Sequence, residues 1–137
     1  MIVAGCHGGA GTTTIAQLIG AYDAGVWPPR PAPYPVLLVA RGTPQGIVRA
    51  NWWLRAARAA GVGPAALIIV GDGPWPEPRL ATLRLRMLHG LVPTVVRLPY
   101  IPHWRYLDQP LQHPLPKKLI HALERLRAAV QPDFPRR

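Results

Sequence analysis

The prediction of the fold starts from residues 2–16, Ile2-Val3-Ala4-Gly5-Cys6-His7-Gly8-Gly9-Ala10-Gly11-Thr12-Thr13-Thr14-Ile15-Ala16. A short apolar run enters four glycines within seven residues, and three threonines then open a segment with apolar residues at helical spacing. That order predicts a β-strand, a tight turn and a helix. Glycines allow a positive φ and let backbone N–H groups approach a ligand closely. The first turn of a helix adds unpaired N–H groups and a dipole that favours an anion.

The turn therefore predicts a phosphate-binding loop. Its residues are His7, Gly8, Gly9, Ala10, Gly11, Thr12, Thr13 and Thr14. A second interpretation stands beside this one, because a glycine-rich turn between a strand and a helix also serves as a simple packing joint in α/β proteins.

The same residues resemble the deviant Walker A loop of the ParA/MinD family of P-loop NTPases (SIMIBI class), whose pattern is Lys-Gly-Gly-x-Gly-Lys-[Ser/Thr]-Thr. The three glycines of the pattern match. His7 takes the place of the first lysine and Thr12 that of the second, while Thr13 falls on the hydroxyl that binds Mg²⁺ in the family. The Walker A loop is thus degenerate, since the only lysines of the chain are Lys117 and Lys118. The likeness covers residues 1–106 and extends to short ParA-like proteins of actinobacteria.

This resemblance implies a nucleotide- or phosphate-binding protein, with ATP or ADP and Mg²⁺ as ligands and Thr13 as a metal ligand. It also implies that NTPase activity is weak or absent. The missing lysine would neutralise charge on the β- and γ-phosphates, and such charge stabilisation carries most of phosphoryl-transfer catalysis. A ParA-like chain would next form two further strands with the Walker B aspartate, whereas here a proline-rich segment, residues 27–35, leads directly to the next apolar run.

Three later apolar runs predict buried strands, at residues 36–40, 66–70 and 94–98. Apolar residues at helical spacing predict the helices that alternate with the strands, at residues 12–22, 43–60, 79–89 and 116–130. We therefore expect one α/β domain over residues 1–137, a three-layer P-loop NTPase-like fold with a four-stranded parallel sheet and helices on both faces. The resemblance implies that the strands lie side by side in chain order. The first strand would then be an edge strand, covered by the proline-rich segment or by a partner chain.

Side-chain patterns within the helices give three finer predictions. The first helix should bury one face, made of Ile15, Leu18, Ile19 and Tyr22. The third helix should bury an apolar stripe, made of Leu80, Leu83, Met87, Leu88 and Leu91. Adjacent positions cannot share a helix face, so at least one of Trp52 and Trp53 should approach the surface.

Further candidate site residues follow the predicted strands, because open α/β sheets bind ligands at the carboxyl ends of their strands. Arg41 follows the second predicted strand and would either point at a phosphate or be a solvated loop residue. Asp72 follows the third, where the family has an asparagine that reads the base, although Asp-Gly also fits a plain turn. Pro99 and Tyr100 open a turn, residues 99–105, that resembles the family's turn over the bound base.

Composition limits the class of protein and of partner. The chain has 137 residues and a mass of 15.0 kDa, and its net charge of +10 with a pI of about 11.3 favours anionic partners. A single cysteine excludes an internal disulfide and fits a reducing compartment. No basic, apolar leader and no apolar run of membrane-spanning length occur, so we expect a cytoplasmic protein without a transmembrane segment. The five histidines show no metal-ligand spacing.

A function of another class stays open. The basic surface and the tryptophans would also suit a non-enzymatic adaptor that binds DNA or a protein partner of a mobile genetic element. A homodimer is equally compatible with the sequence. The last helix carries a basic outer face, which would suit an anionic membrane surface, while its apolar face would suit the sheet.

Overall fold

A computed structural model describes residues 1–26, 28–32, 35–100 and 115–130 of the chain. Its strands are β1 (Ile2–Gly5), β2 (Tyr22–Val26), β3 (Val36–Arg41), β4 (Ala66–Val70) and β5 (Val95–Leu98). Its helices are α1 (Thr12–Ile19), α2 (Pro44–Ala59), α3 (Arg79–Arg86) and α4 (Lys117–Val130). The strands form one sheet in the order β2-β1-β3-β4-β5, and every neighbouring pair is parallel.

The central strands are buried on both faces because helices cover both sides of the sheet. Along β3, Leu38 and Ala40 pack into a cluster with the apolar faces of α2 and α3. The alternating residues Leu37 and Val39 pack into a second cluster with α1 and α4. The continuous apolar run of β3 therefore serves two cores at once, as expected for a parallel strand. The predicted layered α/β architecture with helices on both faces is confirmed.

The strand count differs from the prediction, because β2 forms where the sequence predicted the end of the first helix. Helix α1 ends at Ile19, and Gly20 takes a left-handed conformation with φ of 68°. The backbone N–H groups of Gly20 and Ala21 both donate to Ala16 O, which closes the helix. Tyr22, predicted to continue the buried helix face, instead begins β2 and is exposed.

The predicted edge position of the first strand is also wrong. Ile2 of β1 pairs with Tyr22 of β2 on one side and with Val36 of β3 on the other. The neighbour that we expected to be missing is thus supplied by the short strand after α1, and β1 needs no cover from the proline-rich segment. From β1 to β5 through β3 and β4, the strands do lie in the predicted order.

Helix α3 itself turns a different face to the core from the predicted one, although Leu88 and Leu91, which follow the helix, pack in the core as predicted. Ala81 and Leu85 are buried against α2, together with Leu88 in the turn that follows the helix. Leu80, Leu83 and Met87, which we predicted to be buried, are exposed. Leucines occupy two faces of this segment, so their spacing alone could not decide which face the core would take.

Helices α2 and α4 form close to where the sequence predicts them. Helix α2 begins after Thr43, whose hydroxyl accepts a hydrogen bond from the Gly46 N–H at 3.0 Å. Trp53 is buried and Trp52 is exposed, as adjacent helical positions require. Helix α4 docks on the sheet through Leu119, Ala122, Leu123 and Leu126. Among the described residues, no helix is both long and apolar enough to cross a bilayer.

Candidate functional site

A cavity of about 830 Å³ opens at the carboxyl ends of β1, β3, β4 and β5. The turn between β1 and α1 forms one wall, with His7, Gly8, Gly9, Gly11 and Thr14 lining it. Arg41, Asp72, Pro99 and Tyr100 line the cavity from the ends of the other strands. Most residues predicted for the site are therefore brought together. Residues 101–105 of the predicted turn lie outside the described residues.

The turn between β1 and α1 presents an array of backbone donors. The N–H groups of the eight consecutive residues 7–14 donate to no acceptor within the described ranges. Before this series the N–H of Cys6 bonds to Val39 O, and after it the N–H of Ile15 bonds to Gly11 O. Gly9 and Gly11 hold the turn open with φ of 74° and 95°, values that L side chains rarely adopt. An array of this kind suits an anionic group.

His7 ties the turn to β3 and carries no charge in this arrangement. Its Nε2 accepts a hydrogen bond from the Arg41 backbone N–H at 3.2 Å, so that nitrogen bears no proton. Its Nδ1 lies 2.8 Å from Gly8 O, to which it donates the ring proton. The imidazole is thus neutral and braces the turn. It does not supply the cation that a lysine would bring at this position.

Thr12, at the place of the second lysine, does not line the cavity. Its side chain is buried and points back toward β1, where a Cβ added at Gly5 would lie only 2.6 Å from its Oγ1. Ala10 is also buried and takes part in the core cluster beneath α1. These two residues of the predicted loop are thus buried beneath it and do not line the cavity.

Thr13 contacts a carboxylate that sequence reasoning missed. Its Oγ1 donates to Asp23 Oδ2 at 2.7 Å, and Asp23 Oδ1 accepts from the Gly25 N–H at 2.9 Å. Both side chains are exposed, and neither belongs to the described lining of the cavity, which includes the neighbouring Thr14. Asp23 was missed because the sequence predicted a helix up to residue 22 and no strand between it and residue 36. The signal that could have revealed it is Gly20, a helix-ending residue directly before the short run Tyr22–Val26.

Arg41 bridges the turn and the end of β4. Its Nε donates to Gly9 O at 2.7 Å, and its Nη1 donates to Gly71 O at 3.2 Å. Two of its five N–H donors are therefore committed to backbone carbonyls. The plain alternative of a solvated loop residue is wrong, because the side chain lines the cavity and connects two of its walls.

The far wall of the cavity is closely packed. A Cβ at Gly71 would lie 2.8 Å from the backbone nitrogen of Tyr100, so only glycine fits where the chain after β4 passes the chain after β5. Arg49 of α2 also lines the cavity, and its Cζ lies 5.6 Å from the centroid of the exposed Trp52 ring. This contact is close enough for a cation–π interaction.

Cys6 adds no nucleophile to the site. Burial raises the pKa of its thiol well above the ordinary value, and the thiolate is the reactive form. Within the described ranges, no group of three histidine, cysteine, aspartate or glutamate side chains could hold a metal ion on its own. A cation at this site would need oxygen ligands from a bound molecule as well as from the protein.

Residues 1–119 match the model of a family described as a family of unknown function, DUF6668. The chain belongs to this family. Neither the curated proteins nor the solved structures contain a match to it.

The matched region contains every described residue that lines the cavity. In this DUF6668 protein, the cavity combines backbone donors, the guanidinium groups of Arg41 and Arg49, and the aromatic ring of Tyr100. Asp72 is the acidic side chain in its described lining. Such a set of groups fits an anionic ligand with a planar part.

Proposed function

We propose that this protein binds a phosphate-bearing nucleotide, ATP or ADP, in the 830 Å³ cavity as a shortened ParA/MinD-like P-loop protein. One observation carries the proposal: eight consecutive backbone N–H groups, residues 7–14, have no acceptor in the described part of the chain. Five of these residues, His7, Ala10, Gly11, Thr12 and Thr14, are buried or half-buried, and N–H groups in such places are nearly always paired in folded proteins. A phosphate chain would supply the acceptors, and the dipole of α1 would favour its charge.

Other groups of the cavity lie where the two ends of such a ligand, its phosphates and its base, would be. Arg41 lines the cavity and keeps N–H donors beyond the two that bond to Gly9 O and Gly71 O, and its Nη2 would lie 4.0 Å from a Cβ added at Gly11 of the turn. Asp72, Pro99 and Tyr100 lie at the opposite end, where a base would be placed once the phosphates lie on the turn. The volume of the cavity falls within the range of small-molecule sites.

A magnesium ion fits the oxygen atoms beside the turn. Thr13 Oγ1 and the Asp23 carboxylate lie 2.7 Å apart, and Mg²⁺ is usually held by one or two protein oxygen ligands together with phosphates and water. These two residues would hold the ion. Bound there, Mg²⁺ would neutralise charge on the phosphates.

Hydrolysis is proposed to be weak or absent. Thr12 is buried away from the cavity, and His7 is neutral, so neither replaces a lysine beside the phosphates. The guanidinium of Arg41 is held on two carbonyl groups. Loss of one preorganised donor typically costs about 10²–10³ in rate. Binding without turnover is the function that these contacts support best.

The test uses a matched pair of glycine substitutions. Gly9 and Gly20 both have a left-handed backbone, with φ of 74° and 68°, and a Cβ at either would meet nothing within 4 Å. Gly9→Ala strains the turn, whereas Gly20→Ala strains the end of α1 to the same degree. Calorimetric titration with ATP, ADP and GTP, with Mg²⁺ or EDTA, should give binding to the wild type. We expect Gly9→Ala to weaken it about tenfold, since left-handed strain costs about 1–2 kcal/mol.

The control should behave differently. Gly20→Ala should lower the free energy of unfolding by a similar amount and leave nucleotide affinity close to that of the wild type. If no nucleotide binds to the wild type at millimolar concentration, or if both variants lose affinity equally, the turn is a packing joint and the proposal is wrong.

A further inference from the structure

A second cavity, of about 500 Å³, lies beside the first. The two share a ridge made by Gly71, Asp72 and the segment Leu98–Tyr100. The second cavity opens between the segment that leads into α3 and the outer face of α4. The proposed nucleotide site does not use it.

One wall of this second cavity is aromatic. Trp75 is flanked by prolines in the segment before α3, and it is 58% exposed. Its ring lies against Gly73, where an added Cβ would meet Cζ2, Cε2 and Cη2 of the ring. More than half of the residue's surface stays accessible. An exposed indole is a surface on which a planar ring can stack.

The opposite wall is basic. Lys118, His121 and Arg125 are spaced three and four residues apart on α4, so they lie on one helix face, and all three line the cavity. Arg97 at the base of the cavity is paired with Glu77, Nε to Oε1 at 3.3 Å, and their charges largely cancel. His121 Nδ1 lies 3.8 Å from Glu124 Oε2, whereas Lys118 and Arg125 form no ion pair within the described residues. With Asp72 as the opposing carboxylate on the ridge, the side next to α4 favours an anion.

We propose that the second cavity is a binding site for an aromatic phosphate monoester of mononucleotide size. Its ring stacks on Trp75, and its phosphate pairs with Lys118 and Arg125. The volume of about 500 Å³ is adequate for such a ligand. The site is separate from the turn at residues 7–14 and stands without the proposed function.

The experiment compares AMP, adenosine and inorganic phosphate by calorimetric titration in the Gly9→Ala background, which weakens the first cavity. AMP should bind with a stoichiometry of one per chain, and more tightly than adenosine or inorganic phosphate alone. Trp75→Ala should reduce AMP affinity about tenfold or more, the usual loss on removing a stacking partner. Arg125→Gln should also weaken AMP and leave adenosine unchanged.

Two controls match these variants closely. Trp52→Ala removes a tryptophan of similar exposure, 60%, that does not line the second cavity. Arg127→Gln removes an exposed arginine of α4 that does not line it either. Both should leave AMP affinity unchanged. Equal losses in Trp52→Ala and Trp75→Ala, equal binding of adenosine and AMP, or no AMP binding in the Gly9→Ala background would each overturn the assignment.

The outcomes also separate the two sites. If ATP fails to bind the first cavity but AMP binds in a Trp75-dependent manner, the proposed function fails and the second site stands. If ATP binding depends on Gly9 and no ligand depends on Trp75, the second site fails alone.

Discussion

Gly5 and Thr12 share one small volume beneath the turn between β1 and α1. A Cβ at residue 5 would lie 2.6 Å from Thr12 Oγ1, and it would also contact the backbone oxygens of His7 and Gly25 at 3.4 Å. Threonine is stiff at χ1, and this one is buried, so its hydroxyl cannot move aside at low cost. Thr12 is therefore a packing partner of the strand.

Gly5→Ala should destabilise the protein through this contact. We expect a loss of about 1–3 kcal/mol in the free energy of unfolding, the usual range for overpacking a tight site. The double variant Gly5→Ala/Thr12→Ala should recover part of it, because removal of Oγ1 relieves the closest contact. Urea denaturation of the wild type, both single variants and the double variant measures the coupling. Strictly additive losses would contradict a shared volume.

At the scale of the elements, α3 provides a direct comparison between its two leucine faces. Leu85 is fully buried against α2, whereas Leu83, two residues earlier in the same helix, is 46% exposed. Leu85→Ala should therefore cost about 2–5 kcal/mol of stability, the range for a buried leucine. Leu83→Ala should cost less than about 1 kcal/mol. Thermal and urea denaturation of the two variants measure these losses. A larger loss of stability in Leu83→Ala than in Leu85→Ala would show that the face predicted from the sequence is the buried one.

Strands that are buried on both sides were predictable, and the exposed strand was not. The runs that become β3 and β4 are continuously apolar, so their type and place followed from composition alone. Strand β2 has a glycine, an aspartate and two exposed large residues, Tyr22 and Val26, in five positions. Such a strand depends on pairing with β1, and pairing between distant segments leaves little trace in a local pattern.

The candidate site was likewise predictable where it depends on the buried strands, and not where it depends on β2. Residues after apolar runs, such as Arg41 and Asp72, reach the cavity because parallel strands end at one edge of the sheet. Asp23 lies on the unpredicted strand and was missed with it. The sequence also could not predict that the Thr12 side chain points toward β1, because this orientation depends on the absence of a side chain at Gly5.

At the scale of the whole molecule, both cavities lie along the same edge of the sheet. Helix α4 contributes Leu119 to the first and Lys118 to the second, so a single docked helix helps to shape both. The net charge of +10 attracts anions to the whole surface, and the cavities are where shape can select among them. Binding of DNA or of a protein partner through Trp52 and the exposed arginines stays a prediction.

The eight N–H groups without acceptors also determine how quickly deuterium enters the backbone. Amides that lack an internal hydrogen bond are poorly protected, so the exposed Gly8, Gly9 and Thr13 should exchange within seconds in the free protein. The buried amides of β3 should exchange only when the domain opens. A nucleotide on the turn should slow the peptide that spans residues 7–14 and leave β3 unchanged at early times. Mass spectrometry of deuterium uptake would reveal this footprint, whereas a ligand that left the peptide unprotected would have to bind elsewhere.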